Sequence, residues 1–344
     1  MSRRSASRAK DAPAIRLRSP AQIVAAIPYL VGFHPSESLV AVGLGSEAPR
    51  VCLTVRVDLP PADCSHPLAQ LLATHLRHAE AGGVFLVIFT EETGEPPRPD
   101  LVTALEEATG EMGIEVRDAL WVRSGRWRSY RCRAPQCCPP GGTPVDAGQV
   151  SELAAAAAFL GDVVHGSRED LERALEPVGP LARAALDQTF ERVRRQFMSE
   201  LPGRGRDVVG AESRALLMAA VQARAESAAE LSAAEVARLA LGLSDVLVRD
   251  SALTWAGTDL EHAAEAVWVE LVRKATSPYD APAATLLAVH AYLRGNGAYA
   301  RIALDRALAS DPAYSFALLL VEGLDRGVPP KALRAALTRN GRAA

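Results

Sequence analysis

Three cysteines stand close together near the middle of the chain: Cys132, then Cys137 and Cys138, followed at once by Pro139 and Pro140. Three thiolates at that spacing can hold zinc if one more ligand completes a tetrahedron. Alternatively, Cys132 can pair reversibly with Cys137 or Cys138 as a redox element. Adjacent cysteines seldom both reach one tetrahedral ion, and no histidine lies close by in sequence. Small buried side chains closing off a domain are therefore the plainer reading. A second group comprises His34, Ser36 and Ser38 in the segment GFHPSES, together with Asp58, Thr90 and Glu91. An imidazole that titrates near neutral pH can act as general base while a carboxylate such as Asp58 or Glu91 orients its ring. In the plainer alternative the serines satisfy loop backbone groups and Pro35 fixes the chain's entry to a strand. No GxSxG elbow surrounds either serine, so a hydrolase of that type has no support.

A third group lies between Arg117 and Arg133, where six arginines and a single acid, Asp118, alternate with Trp121, Trp127 and Tyr130. Arginine beside stacking aromatics suits an anionic ligand or single-stranded nucleic acid, with Arg126, Arg128 and Arg131 as the anion-binding candidates. In a strand, however, Trp127 faces away from Arg126, Arg128 and Tyr130. A core tryptophan beneath a solvated arginine face explains the same pattern. His75 with His78, and His262 with Glu265, are each three residues apart. On a helix that spacing permits a metal pair, but His75 continues an apolar face and reads better as a partly buried histidine. GxxxxGK[ST], HExxH, EF-hand and paired CxxC patterns are all missing from the sequence.

These residues act together only if the fold gathers them. Ser19-Pro20 opens a helix, a hydroxyl at the N-cap followed by a proline whose missing N–H is harmless there. That helix should reach about Leu30, with Gly32 helping to end it. Leu39–Val42 and Val51–Val57, joined by a turn over Gly43–Pro49, form an antiparallel hairpin. The periodicity then predicts a helix over 67–81 stopped by Gly82-Gly83, a buried strand over 84–89, and a helix over 100–112 stopped by Gly113. A strand over 114–122, a turn at Ser124-Gly125 and a return strand over 127–131 complete the pattern. Strand–helix–strand connections force parallel pairing through right-handed crossovers, so the strands at 51–57, 84–89 and 114–122 run one way. Their exits at Asp58, Thr90-Glu91-Glu92 and Ser124-Gly125 then share one edge of the sheet with the GFHPSES entrance. Open α/β sheets bind ligands at that kind of edge. The return strand carries Cys132 to the opposite edge.

Residues 134–150, with four prolines and three glycines, mark a boundary. Beyond it only helices are expected, near 150–161, 167–175, 180–197, 211–227, 232–250 and 259–276, with 202–206 as a loop. Residues 281–314 have the small-and-large spacing of a tetratricopeptide-like helix pair turning at Gly295 and Gly297, and 313–338 add another pair. The fold class expected is therefore α/β plus all-α: a mixed sheet with crossover helices over 14–150 and a helical domain over 151–344. A basic, disordered tail precedes them at 1–13.

The segments IPYLVGFHPSESLVAVGL (27–44), VRVDLP (55–60), RWRSYRC (126–132), CCPPGGTPV (137–145) and the alanine-rich stretch 286–320 resemble an actinobacterial family known as domain of unknown function 4192. The likeness runs from about residue 15 to 337. It implies an actinobacterial lineage and brings no activity, substrate or catalytic residue with it.

The chain has 344 residues, enough for about two domains. Its 38 basic and 41 acidic side chains leave a net charge of −3, so no overall field draws it to nucleic acid or to a membrane surface. Five cysteines, an odd number in a chain this long, suit a reducing cytoplasm rather than a disulfide framework. These features point to a cytoplasmic, non-catalytic ligand-binding or protein-interaction module. A protein partner would sit on the helical domain and a small molecule at the sheet edge. An enzyme using His34 with Asp58 or Glu91, and nucleic-acid or anion binding through Arg117–Arg133, are the alternatives.

Overall fold

The computed structural model describes residues 19–47, 50–93, 96–145, 148, 154, 163–227 and 229–340. The expected tail at 1–13 and nearly all of the helix expected at 150–161 lie outside the described residues. Helix α1 (Pro20–Val31) begins where the Ser19 hydroxyl accepts the Gln22 N–H and ends at Gly32, whose φ of +87° lets its N–H return to the Pro28 carbonyl.

Strands β1 (Ser38–Gly45), β2 (Val51–Asp58), β3 (Ala81–Phe89), β4 (Glu115–Arg123), β5 (Arg126–Ser129) and β6 (Thr143–Pro144) form one sheet in the order β2-β1-β3-β4-β5-β6. β1 is antiparallel to both β2 and β3, β3 is parallel to β4, and β5 runs back antiparallel to β4. Helices α2 (Ser65–His78) and α3 (Pro99–Glu111) are the crossovers. The directions match those expected from the connection lengths. β6 was not expected: within the proline-rich boundary segment it adds to the edge of β5, Thr143 opposite Trp127.

Two glycines have a different role from the expected one. Helix α2 stops at His78 and the chain turns at Glu80, with φ +57°. Gly82 and Gly83 lie inside β3, where a Cβ on Gly82 would stand 2.8 Å from the Ser46 Cα and one on Gly83 would stand 2.9 Å from the Arg117 guanidinium. They permit close approach of the neighbouring chain segments rather than ending a helix.

The sheet is covered on both faces, which explains its near-continuous apolar strands. On one face Leu39, Ala41, Leu86, Ile88 and Trp121 pack against Leu72 and Leu76 of α2 and Leu101 and Leu105 of α3. On the other, Val40, Val42, Val87, Leu120, Val122 and Trp127 join an apolar cluster that continues through α1 into the C-terminal helices. Those helices are α4 (Arg168–Ala174), α5 (Pro180–Arg204), α6 (Arg206–Glu226), α7 (Ala233–Leu243), α8 (Val246–Ala252), α9 (Glu261–Lys274), α10 (Ala281–Leu293), α11 (Gly297–Ser310), α12 (Ser315–Asp325) and α13 (Pro330–Asn340). Every residue of α10 is buried, so it is the axis around which the others pack.

Two boundaries differ from the expected ones. Helix α5 runs through Pro202 to Arg204, and the break falls at Gly205, with φ +79°. The single helix expected over 232–250 divides because Asp245 caps a new one, its carboxylate accepting the Leu247 N–H at 2.8 Å. Between α10 and α11, Gly295 takes φ +83° and the Asn296 side chain caps Tyr299.

Candidate functional site

At the rim, Ser38 lies opposite both Asp58 and Phe89, so the start of β1 meets the ends of β2 and β3. The loop is held by Glu37, whose carboxylate accepts hydrogen bonds from the Thr90 hydroxyl at 2.8 Å and the Glu91 N–H at 2.9 Å. Glu91 in turn accepts from the N–H and hydroxyl of Ser124, both at 2.9 Å, and these bonds hold its carboxyl below the usual carboxylate range. The buried Ser38 hydroxyl donates to the Ser36 carbonyl and accepts from Arg56 Nε at 2.9 Å. Arg56 also pairs with Asp58 at 2.6 Å and lies over the Phe33 ring, 5.6 Å from its centre. Ser36, Ser38, Asp58, Thr90 and Glu91 are thus brought together, but they are engaged with one another and with Glu37, Arg56 and Ser124. His34 shares the loop, but its exposed imidazole makes no hydrogen bond or ion pair with a described residue. Only its backbone is engaged, the N–H donating to the His165 carbonyl at 3.1 Å.

Sequence reasoning passed over Glu37 and Arg56. Arg56 had a signal: it lies two residues before Asp58 in a strand and therefore on the same face. Glu37 had little, because its φ of +39° turns the carboxylate inward and nothing in the sequence announces that.

At the opposite edge, β5 delivers Cys132 to Cys137 and Cys138. The three sulfurs lie within 4.8 Å of one another, with Cys132 and Cys137 Sγ 2.9 Å apart. The hydrogen bond from Cys137 lowers the Cys132 thiol from its ordinary value and raises that of Cys137 to about 11. The three anion-binding candidates are all engaged. Arg126 donates to the Gly141 and Gly142 carbonyls at 2.6 and 2.8 Å, and Arg128 to the Pro140 carbonyl at 3.0 Å. Arg131 pairs with Glu106 at 2.7 Å. Trp127 is buried in the core while Trp121 and Tyr130 meet edge-on at the other face.

A further cleft lies away from both edges of the sheet. With a volume of about 810 Å³, it opens between the end of α1, the segment 163–165, and helices α9 and α11. That volume falls within the range of small-molecule pockets. Its walls carry Arg224, Arg273, Lys274 and Arg294 against Glu230, Glu265 and Glu270. Lys274 bridges Glu230 and Glu270, both at 2.7 Å; burial works against its charge, but the two carboxylates outweigh it and raise its pKa. Arg224 closes on Glu270 from the other side. Arg273 is exposed; its side chain makes no hydrogen bond or ion pair with a described residue, though its charge helps to hold the Glu230 carboxyl down. Behind the wall, ligand atoms of Glu261, Glu265 and His290 lie within 4.8 Å of one another. Arg294 occupies both of these carboxylates, so a cation already sits between them.

A family described as "Domain of unknown function (DUF4192)" matches residues 20–331. The chain belongs to this family. No curated protein and no solved structure matches it. In this DUF4192 protein no helix among the described residues is long and apolar enough to cross a membrane. His75 and His78 of α2 serve as struts, with ring nitrogens 3.1 Å from the Asp325 carbonyl and 3.2 Å from the Arg326 carbonyl at the end of α12. Burial lowers the His75 pKa. The cleft escaped sequence reasoning because its wall residues come from positions as far apart as Tyr29 and Tyr299, with no short motif to join them.

Proposed function

We propose that this protein is a non-catalytic binding module of the cytoplasm that takes a small, polar, charge-bearing ligand in the cleft between α1 and helices α9 and α11. The observation that carries the reading is a cleft of about 810 Å³ whose walls hold four cations and three carboxylates, one of the cations, Arg273, making no hydrogen bond or ion pair with a described residue. The largely shielded side chains of Arg224, Lys274, Glu265 and Glu270 are less screened by water, which strengthens their grip on a ligand of mixed charge. The odd cysteine count supports the compartment.

An enzyme at the sheet rim draws less support, since His34 is exposed and pairs with neither Asp58 nor Glu91. A protein partner on the helical half is the second reading. The exposed apolar side chains of Leu181, Val208 and Leu247 favour it, as do the successive hairpins α10–α11 and α12–α13, which suit a tetratricopeptide-like stack.

The test is a thermal-shift screen of nucleotides, amino acids and organic acids. Arg273→Glu should weaken any stabilising compound about tenfold or more, a loss of one charge-assisted contact, while His34→Ala leaves binding unchanged. Loss in His34→Ala alone would move the site to the rim. A screen without hits, with a partner retained by Arg273→Glu and released by Leu247→Asp, would favour the adaptor reading.

A further inference from the structure

We propose that Cys132, Cys137 and Cys138 together bind one zinc-class divalent ion as thiolates, with the fourth position taken by water or a small exogenous ligand. Zinc–thiolate bonds of about 2.3 Å in a tetrahedron place the sulfurs about 3.8 Å apart. The three sulfurs here all lie within 4.8 Å of one another, so modest side-chain rotation brings them onto one ion. Their convergence also answers the objection to adjacent cysteines. The N–H groups of Cys137 and Cys138 both return to the Ala134 carbonyl, at 3.2 and 2.8 Å, and this tight turn presents both thiols to Cys132.

A redox pair explains less. It needs two sulfurs and leaves the third without a role, whereas one ion engages all three. Two shells of polar contacts keep the thiols in place. Ser129 Oγ accepts the N–H groups of Arg131 and Cys132 at 3.1 and 3.3 Å and donates to Asp118 at 2.8 Å. Arg126 and Arg128 hold the carbonyls of Pro140, Gly141 and Gly142, so the loop is clamped from both ends. Orienting contacts of this kind are what metal ligands require around them. Cys138 is buried and Cys137 exposed, so the cluster has a protein side and a solvent side, and the solvent side can supply the fourth ligand. No Asp, Glu or His among the described residues joins the three sulfurs in the cluster. The ion would fasten the end of β5 to the loop that carries β6, closing the edge of the sheet.

Metal content and cobalt spectra test this. Protein purified under reducing conditions should carry about one zinc per chain by elemental analysis. The metal-free chain titrated with Co(II) should develop the thiolate-to-metal absorption and the visible bands of a tetrahedral site. Cys132→Ser and Cys138→Ser should each remove stoichiometric metal, while Cys52→Ser retains it. The cobalt titration of the unaltered chain decides the matter even if a variant fails to fold. A reduced chain that takes up neither zinc nor cobalt would overturn the proposal, as would a triple Cys→Ser variant with undiminished metal. So would a Cys132–Cys137 disulfide that forms equally fast with zinc present.

Discussion

His290 is an ionisable side chain that the fold buries completely. Neither ring nitrogen makes a well-formed hydrogen bond with a described residue, a weak contact with the Ala252 backbone aside, and Trp268 packs edge-on against it. Burial, reinforced by Arg294 and with a smaller part from His262, drives its pKa from 6.5 down to about 3, while the Ala252 carbonyl pulls weakly the other way. Glu261 and Glu265 face it too, but Arg294 pairs with both. The folded chain therefore refuses a proton that the unfolded chain accepts. Stability is unaffected well above pH 6.5 and falls as pH drops from there towards 3, by about 1.4 kcal/mol per unit and about 2 kcal/mol in all by pH 5. Denaturant titrations from pH 7.5 to 4.5 should show this loss. His290→Leu, whatever its absolute stability, should show a slope smaller by about one proton. An identical slope would remove His290 from the acid response. That the rim would gather Ser38, Asp58 and Thr90 was legible at this scale, because connection lengths fix strand directions. The pairing of Glu37 with Thr90 was not, since it depends on one backbone angle.

Among the elements, the C-terminus of α9 shows how a helix end is secured by a distant side chain. Arg183 of α5 donates to the Lys274 and Ala275 carbonyls at 3.1 and 2.8 Å and to the Arg273 carbonyl at 2.9 Å. These are carbonyls that an α-helix leaves unsatisfied at its end. Arg183→Met should cost about 1–3 kcal/mol in chemical denaturation, the range for buried groups deprived of charged partners. Lys at 183 should recover only part, because an ammonium cannot reach three carbonyls in a fork. A change within about 0.5 kcal/mol, typical of neutral surface substitutions, would show that solvent serves these carbonyls equally well. Most helices were legible from apolar periodicity, and the hairpin 281–314 nearly to the residue. Their boundaries were harder where a residue acts against its usual tendency. Pro202 sits inside α5, and Asp245 starts a helix in mid-pattern. Gly82 and Gly83 looked like punctuation and are instead points of close contact.

Over the whole molecule the decisive feature is the second face of the sheet. Val40, Val42, Val87, Leu120, Val122 and Trp127 are buried by α1 and by helices from the distant half of the chain. A fragment of residues 19–145 should therefore expose a broad apolar surface and associate or precipitate. The full chain should unfold in one transition, with tryptophan fluorescence and circular dichroism superimposing. A soluble monomeric fragment with native-like dispersion in its NMR spectrum would show that α1, α2 and α3 suffice. Composition could indicate that the strands were buried on both sides, but not which helices bury them. That information lies in long-range contacts such as the bridge between Thr54 and Asn296 and the struts from α2 to the end of α12.

This arrangement bears on how the protein is made. When the ribosome has released only the strands, half of their greasy surface still awaits helices not yet translated, and His75 and His78 lack carbonyls to meet. The nascent chain must wait for the C-terminal helices before the sheet is sealed. Holdase chaperones that mask apolar strands would therefore matter more for this chain than for one that folds piece by piece.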